Sequence, residues 1–150
     1  MRLEDEIKQT KPFKNEFQKL FLNIAFTSSW LNNILSSGLK PYGLTPQQFN
    51  VLKILKGKYP DSHKNQDIAK RMLDRSSNAG RIVDKLVQKK LAARTSNTSD
   101  RRSVQISITA KGLQLLQEVE QEDFYLKELV RNLDENSAKQ MNQWLDEVRG

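Results

Sequence analysis

The stretch NTSDRRSVQIS at positions 97–107 places two arginines, Arg101 and Arg102, directly behind an acid, Asp100, in a polar loop. A guanidinium is a permanent charge with a planar fork of N–H donors that matches phosphate oxygens. A second set lies upstream: Ser76, Ser77, Asn78, Arg81 and Lys85. At helical spacing these residues present one polar, cationic face. Asn can pair with adenine and Arg with guanine through two bonds, each worth roughly 1–3 kcal/mol of discrimination. Serine hydroxyls and helix N-terminal amides suit phosphate. The chemistry on offer is recognition of a polyanionic duplex. Adjacent residues on an extended chain point to opposite sides, so Arg101 and Arg102 divide the work. One is expected to reach an electronegative minor groove, while the other turns back onto Asp100 and holds the loop. A surface ion pair worth about 0–1 kcal/mol accounts for Asp100 and one arginine, but not for the second.

Other chemistries lack parts. The chain has one histidine, His63, and no cysteine, so thiol catalysis and thiolate metal sites are excluded and a hydrolase triad is not expected. No metal site and no cofactor are expected, and His63 reads as a polar loop residue. Asp134 and Glu135 are adjacent at an expected helix start, where acids favour the dipole; they do not form a catalytic dyad. With no glycine-rich phosphate loop either, an enzyme is not expected. Lys and Arg number 25 against 18 acids, a formal charge of +7, which favours an anionic partner. No stretch is apolar enough for a signal peptide or a membrane span, and a cytoplasmic location fits the absence of cysteine.

The elements that must carry these residues are legible as periods. Phe13, Phe17, Leu20, Phe21, Ile24, Leu31 and Leu35 mark a long helix, and Leu22, Phe26 and Trp30 add a second stripe. Two apolar faces call for a second body to cover one of them. Residues 36–43, SSGLKPYG, are expected to break that helix. The next helix is signposted by Thr45 as N-cap, Pro46 at the first position and Gln48 as capping-box partner, with Phe49, Leu52 and Leu55 inward. A short helix capped by Asn65 follows, then a helix over 74–91 whose apolar face is Ala79, Ile82, Val83, Leu86 and Val87. Two short helices with a tight connection and a cationic second helix form a helix-turn-helix pattern. The period then drops to two, and AARTS and SVQISIT read as two strands joined at the arginine loop. Thr109 caps a further helix with apolar positions from Leu113 to Leu133. A last helix carries Ala138, Met141, Leu145 and Val148. The expected fold is mainly α with a small β-hairpin: a winged helix-turn-helix flanked by long N- and C-terminal helices.

Over Leu44 to Gly112 the chain resembles the MarR family of winged-helix transcription regulators. LTPQQFNVL looks like the family's second helix, DIAKRM like the first half of its helix-turn-helix, and SSNAGRIVDKLVQKKL like its recognition helix. DRRSVQISITAKG is similar to the wing motif, with Asp100 and Arg102 matching its acid and arginine. Lys90 stands where members carry glycine, and a left-handed turn there would strain it. Ile108 stands where leucine is usual, a harmless second departure, and Gly80 inside the recognition helix costs about 1 kcal/mol against alanine. The resemblance implies a DNA-binding region at 44–112 and a discontinuous dimerisation region at 1–40 and 113–150. It implies a homodimer on pseudo-palindromic double-stranded DNA, repression, and release by a small aromatic or anionic effector held in a crevice between the layers. Phe17, Phe21, Phe26 and Trp30 are candidates to line that crevice. The alternative is a winged-helix adaptor that binds protein partners without reading DNA sequence.

Overall fold

Thr45 begins the centre of the molecule. Its hydroxyl accepts from the Gln48 N–H at 3.2 Å, and the Gln48 side chain accepts from the Thr45 N–H at 3.4 Å. This reciprocal box, with Pro46 pre-set at the first position, starts helix α3 (Pro46–Lys56). Phe49, Val51, Leu52, Ile54 and Leu55 of α3 are all buried, each apolar side chain contributing roughly 1.5–3 kcal/mol. The computed structural model describes residues 2–96 and 104–150. Before α3 come α1 (Leu3–Glu6), α2 (Glu16–Leu39) and a 3-10 turn (Lys40–Tyr42). After it come β1 (His63–Lys64), α4 (Asn65–Arg71), α5 (Ala79–Gln88), β2 (Ala92–Ser96), β3 (Val104–Ile108), α6 (Ala110–Glu122), α7 (Phe124–Asn132) and α8 (Glu135–Arg149). The core joins α3 to Ile68 and Met72 around α4, to Val83 and Leu86 of α5, to Ile106 and Ile108 of β3, and to Leu116 and Val119 of α6. Lys89, at the end of α5, fastens that helix to the start of α3 by donating to the Gly43 carbonyl and the Gln48 side chain.

The hairpin is present, and a third strand joins it. The sheet order is β1-β3-β2, antiparallel throughout, with Arg94 and His63 both opposite Ile106. His63 is therefore a strand residue, only 4% exposed, and not the loop residue its sequence context suggests. Its Nε2–H donates to the Ile54 carbonyl at 3.1 Å; a carbonyl only accepts, so this nitrogen carries the proton. Burial pushes its pKa below the ordinary histidine value of 6.5, although the bond to Ile54 opposes the shift. The unfolded chain thus binds this proton more readily than the folded one. The stability from His63 is complete above about pH 6.5 and is lost as pH falls through the lower, folded-state value. Thermal midpoints measured between pH 7.5 and 5 are expected to fall in the wild type and to fall less in His63→Gln.

Four local boundaries differ from the periodicity. The helix α2 runs through Ser36, Ser37 and Gly38 to Leu39, and the Phe124 ring packs against the bare Cα of Gly38. The break comes later, at Gly43 in the left-handed region. Asn65 is the first residue of α4, whose cap is Lys64 with no side-chain bond. The helix α5 begins at Ala79 after a turn over Asp74–Ser77. The helix after Thr109 divides at Asp123, which adopts φ 50° between α6 and α7. Thr109 itself caps α6 as its sequence implies, accepting from the Gly112 N–H at 3.0 Å.

Lys90 occupies the left-handed region, at φ 60°. It closes α5 with a paired turn: Leu91 N–H bonds the Leu86 carbonyl and Lys90 N–H bonds the Val87 carbonyl, both at 2.9 Å. A side chain in that conformation costs about 1 kcal/mol or more. Lys90→Gly is expected to stabilise the protein by about 0.5–1 kcal/mol, less than the full strain because glycine frees the unfolded chain. A thermal midpoint raised by a few degrees checks it.

Candidate nucleic-acid interface

The amphipathic pattern of α5 becomes two physical sides. Ala79, Val83 and Leu86 are buried against the core, while Arg81, Asp84, Lys85 and Gln88 are exposed. The exposed row borders a hollow of about 490 Å³ whose far wall is the start of α3, including Thr45 and Gln47. Ser77 and Asn78 lie at its upper end. Four of the five candidates from the recognition stretch, Ser77, Asn78, Arg81 and Lys85, therefore meet at one surface.

Their roles are divided more finely than residue type suggests. Asn78 is the N-cap of α5, its Oδ1 accepting from the Arg81 N–H at 3.1 Å. That oxygen is spent on the helix, so Asn78 fixes the first turn of α5, from which Arg81 projects. Ser76 and Ser77 are not on the helix. Both hydroxyls donate to the Asp74 carboxylate at 2.6 Å, and the Ser76 N–H adds a third bond at 3.0 Å. The hydrogen bonds from Ser76 and then Ser77 hold the Asp74 pKa below the usual carboxylate range. Asp74 thereby fixes the turn that feeds α5. Lys85 donates to Gln88 at 3.3 Å along the same face. Asp100, Arg101 and Arg102, the wing candidates, lie outside the described residues. Asp84 was not singled out by sequence; its three-residue spacing from Arg81 is the signal that places it on this face.

The crevice candidates separate. Phe17 and Phe21 are 81% and 71% exposed on α2. Phe26 and Trp30 instead border a small cleft of about 210 Å³ with Leu3 of α1. None of the four lines the cleft of about 650 Å³ where α2 and α7 meet the winged helix, which is bordered by Leu31, Leu35, Phe49, Met72, Leu73 and Leu129 among others. Periodicity identifies residues sharing a helix face, but not the neighbour that face meets. Beside the cleft, Glu120 of α6 is bridged by Lys53 and Lys56 of α3. Burial raises its pKa, but the two lysine hydrogen bonds outweigh this and leave the carboxyl below its ordinary value.

A sequence model described as the MarR family matches residues 44–104, the span that contains α3, α4, α5 and β2 and ends at the first residue of β3. The HTH-type transcriptional regulator MhqR of Bacillus subtilis (strain 168) is 34% identical over 103 residues, 67% of this chain and 68% of the relative. The chain belongs to the MarR family. Family members and structural neighbours are transcription regulators, and this MarR-family protein is one of them, not an enzyme. Its fold is similar to that of a mutant MarR from E. coli complexed with operator DNA, with TM-score 0.76 and 24% identity, covering 92% of this chain and 99% of the other. It is also similar to the organohalide-sensing regulator RdhR-CbdbA1625 in its 2,4-dichlorophenol-bound form, with TM-score 0.81 and 15% identity, covering 94% and 86%. These likenesses establish the mainly helical winged-helix fold of the MarR-family chain. No helix among the described residues is long and apolar enough to cross a membrane.

Proposed function

We propose that this MarR-family protein is a cytoplasmic repressor that binds pseudo-palindromic duplex DNA as a homodimer. Residues 44–112 form the DNA-binding region, and 1–40 with 113–150 the dimerisation region. The recognition helix α5 enters the major groove, with Arg81 on base edges, Asn78 and Lys85 toward phosphates or adjoining bases, and Ser76 and Ser77, in the turn before the helix, reaching phosphate by releasing their bonds to Asp74. The wing carries Arg101 and Arg102 to the flanking minor groove, steadied by Asp100. The single observation behind this reading is the exposed row of Arg81, Lys85 and Gln88 opposite the buried row of Val83 and Leu86. A helix anchored on one side and cationic on the other is what a groove accepts.

The dimer rests on uncovered apolar surface. Phe17, Phe21, Trp144 and Val148 are exposed, and an apolar groove of about 640 Å³ runs between α2 and α8. Water-facing surface of this kind marks a protein interface, and a second copy supplies a matching face. Two-fold symmetry then sets the recognition helices about 34–36 Å apart, one turn of duplex. Occupying a promoter excludes the polymerase, which gives repression. A small aromatic or anionic effector fits the cleft between α2, α3 and α7. By changing how the two regions pack, such an effector alters helix spacing and releases DNA. RdhR-CbdbA1625, with dichlorophenol bound, offers a precedent for a ligand on this fold.

The test is selection of duplexes from a random pool by the purified protein, followed by salt-titrated anisotropy and light scattering. Nanomolar binding that weakens steeply with salt, by a particle of twice the 17.4 kDa chain mass, is the expected result. Equal, weak binding to every duplex would favour the adaptor reading and overturn this one.

A further inference from the structure

Asp84 is the one acid on α5, and it lies in the exposed row between Arg81 and Gln88. On a surface meant for a polyanion an isolated carboxylate opposes binding. This one is paired: Arg94 Nη1 of β2 meets Asp84 Oδ1 at 2.6 Å, with both side chains partly exposed. Arg94 lies opposite Ile106, as His63 does, and Ile106 and His63 are buried. Residues opposed across antiparallel strands project to the same face, so the Arg94 stem leaves β2 on the core side. On an outer strand of the sheet, its guanidinium emerges at the recognition helix.

We propose that Arg94 contacts the phosphate backbone at the root of the wing and that Asp84 is the positioning residue that aims it. This rests on the DNA-binding reading above. If α5 occupies the major groove and the wing tip the flanking minor groove, one phosphodiester strand must pass between them. The strand β2 joins the end of α5 to the wing loop, and Arg94 stands midway along β2 beside α5. A guanidinium carries five N–H donors in a rigid fork. One terminal nitrogen on Asp84 holds the plane in a fixed orientation, and the fork matches a phosphate held at the same time. The pair also neutralises the carboxylate on the DNA face. An ordinary surface pair adds little to stability and has no effect on how DNA binding responds to salt.

The experiment uses the full-length protein and a duplex that the wild type selects from a random pool. Arg94→Ala and Arg94→Gln are measured by anisotropy across a salt series, with circular dichroism to confirm folding. Loss of one phosphate contact per protomer is expected to make the slope of log K against log salt shallower by about two per dimer. Arg94→Lys keeps the charge and should keep the slope. Asp84→Asn should keep the slope and lower affinity roughly tenfold, because the cation remains but loses its aim. A steep wild-type slope left unchanged by Arg94→Gln overturns the phosphate contact and leaves the DNA-binding reading standing. Unchanged affinity in Asp84→Asn overturns the positioning role. A wild type that shows no salt-dependent, sequence-selective binding overturns the parent reading instead.

Discussion

Arg81→Ala is expected to abolish sequence discrimination at one base position in each half-site while leaving the fold intact. The two halves of that expectation have separate causes. Arg81 donates its backbone N–H, not its side chain, to the Asn78 cap, and alanine retains that donor. Alanine is also the better helix former, and the side chain removed is exposed. The thermal midpoint should therefore stay within a few degrees. The guanidinium, by contrast, supplies a base contact worth roughly 1–3 kcal/mol. A symmetric dimer makes that contact twice, so specific binding should weaken by about 2–6 kcal/mol, roughly thirtyfold to twenty-thousandfold. Binding to a scrambled duplex should lose only the smaller electrostatic share. Anisotropy on both duplexes at one salt concentration provides the check. Equal losses on the two would reduce Arg81 to a phosphate contact.

Gly112→Ala should be the most damaging small substitution in the fold, although general helix preference predicts the opposite. Gly112 sits in the first turn of α6, where replacing glycine by alanine ordinarily gains about 1 kcal/mol. Here an added methyl would overlap the Leu91 carbonyl oxygen and press on Ile108 Cγ1 at 2.9 Å. The first obstacle is backbone and cannot rotate away. That carbonyl also accepts the Thr109 N–H at 3.1 Å, and Thr109 donates its hydroxyl to the Lys90 carbonyl at 2.8 Å. Moving it disturbs both the seam between the α5 terminus and α6 and the base of the hairpin. A net loss of about 3 kcal/mol is expected, lowering the thermal midpoint by about 6–12 °C for a chain of this size. Gly80→Ala is the control. Its methyl would meet Asn78 Oδ1 at 3.3 Å and Asn65 Nδ2 at 3.8 Å, and these are side-chain atoms that can yield. A change within about 1 kcal/mol of wild type is expected there.

What the sequence by itself determined are features set by groups three or four residues apart. Thr45, Pro46 and Gln48 start α3, Thr109 starts α6, and the 79–88 pattern divides α5 into a buried and an exposed side, all readable because each partner is local. The family resemblance, rather than local spacing, identified Lys90 as a position that would be strained in a left-handed turn, and it adopts φ 60°. Tertiary structure alone decided matters that depend on distant segments. His63 becomes a buried strand residue only because β3 arrives beside it, and Gly38 leaves room for the Phe124 ring that packs against it. The Asp84–Arg94 pair joins a helix to a strand, and the large cleft draws its walls from α2, α3 and α7. Helical period reveals which side chains share a face. Which neighbour that face meets is set by packing between remote segments, whose registry no local spacing encodes.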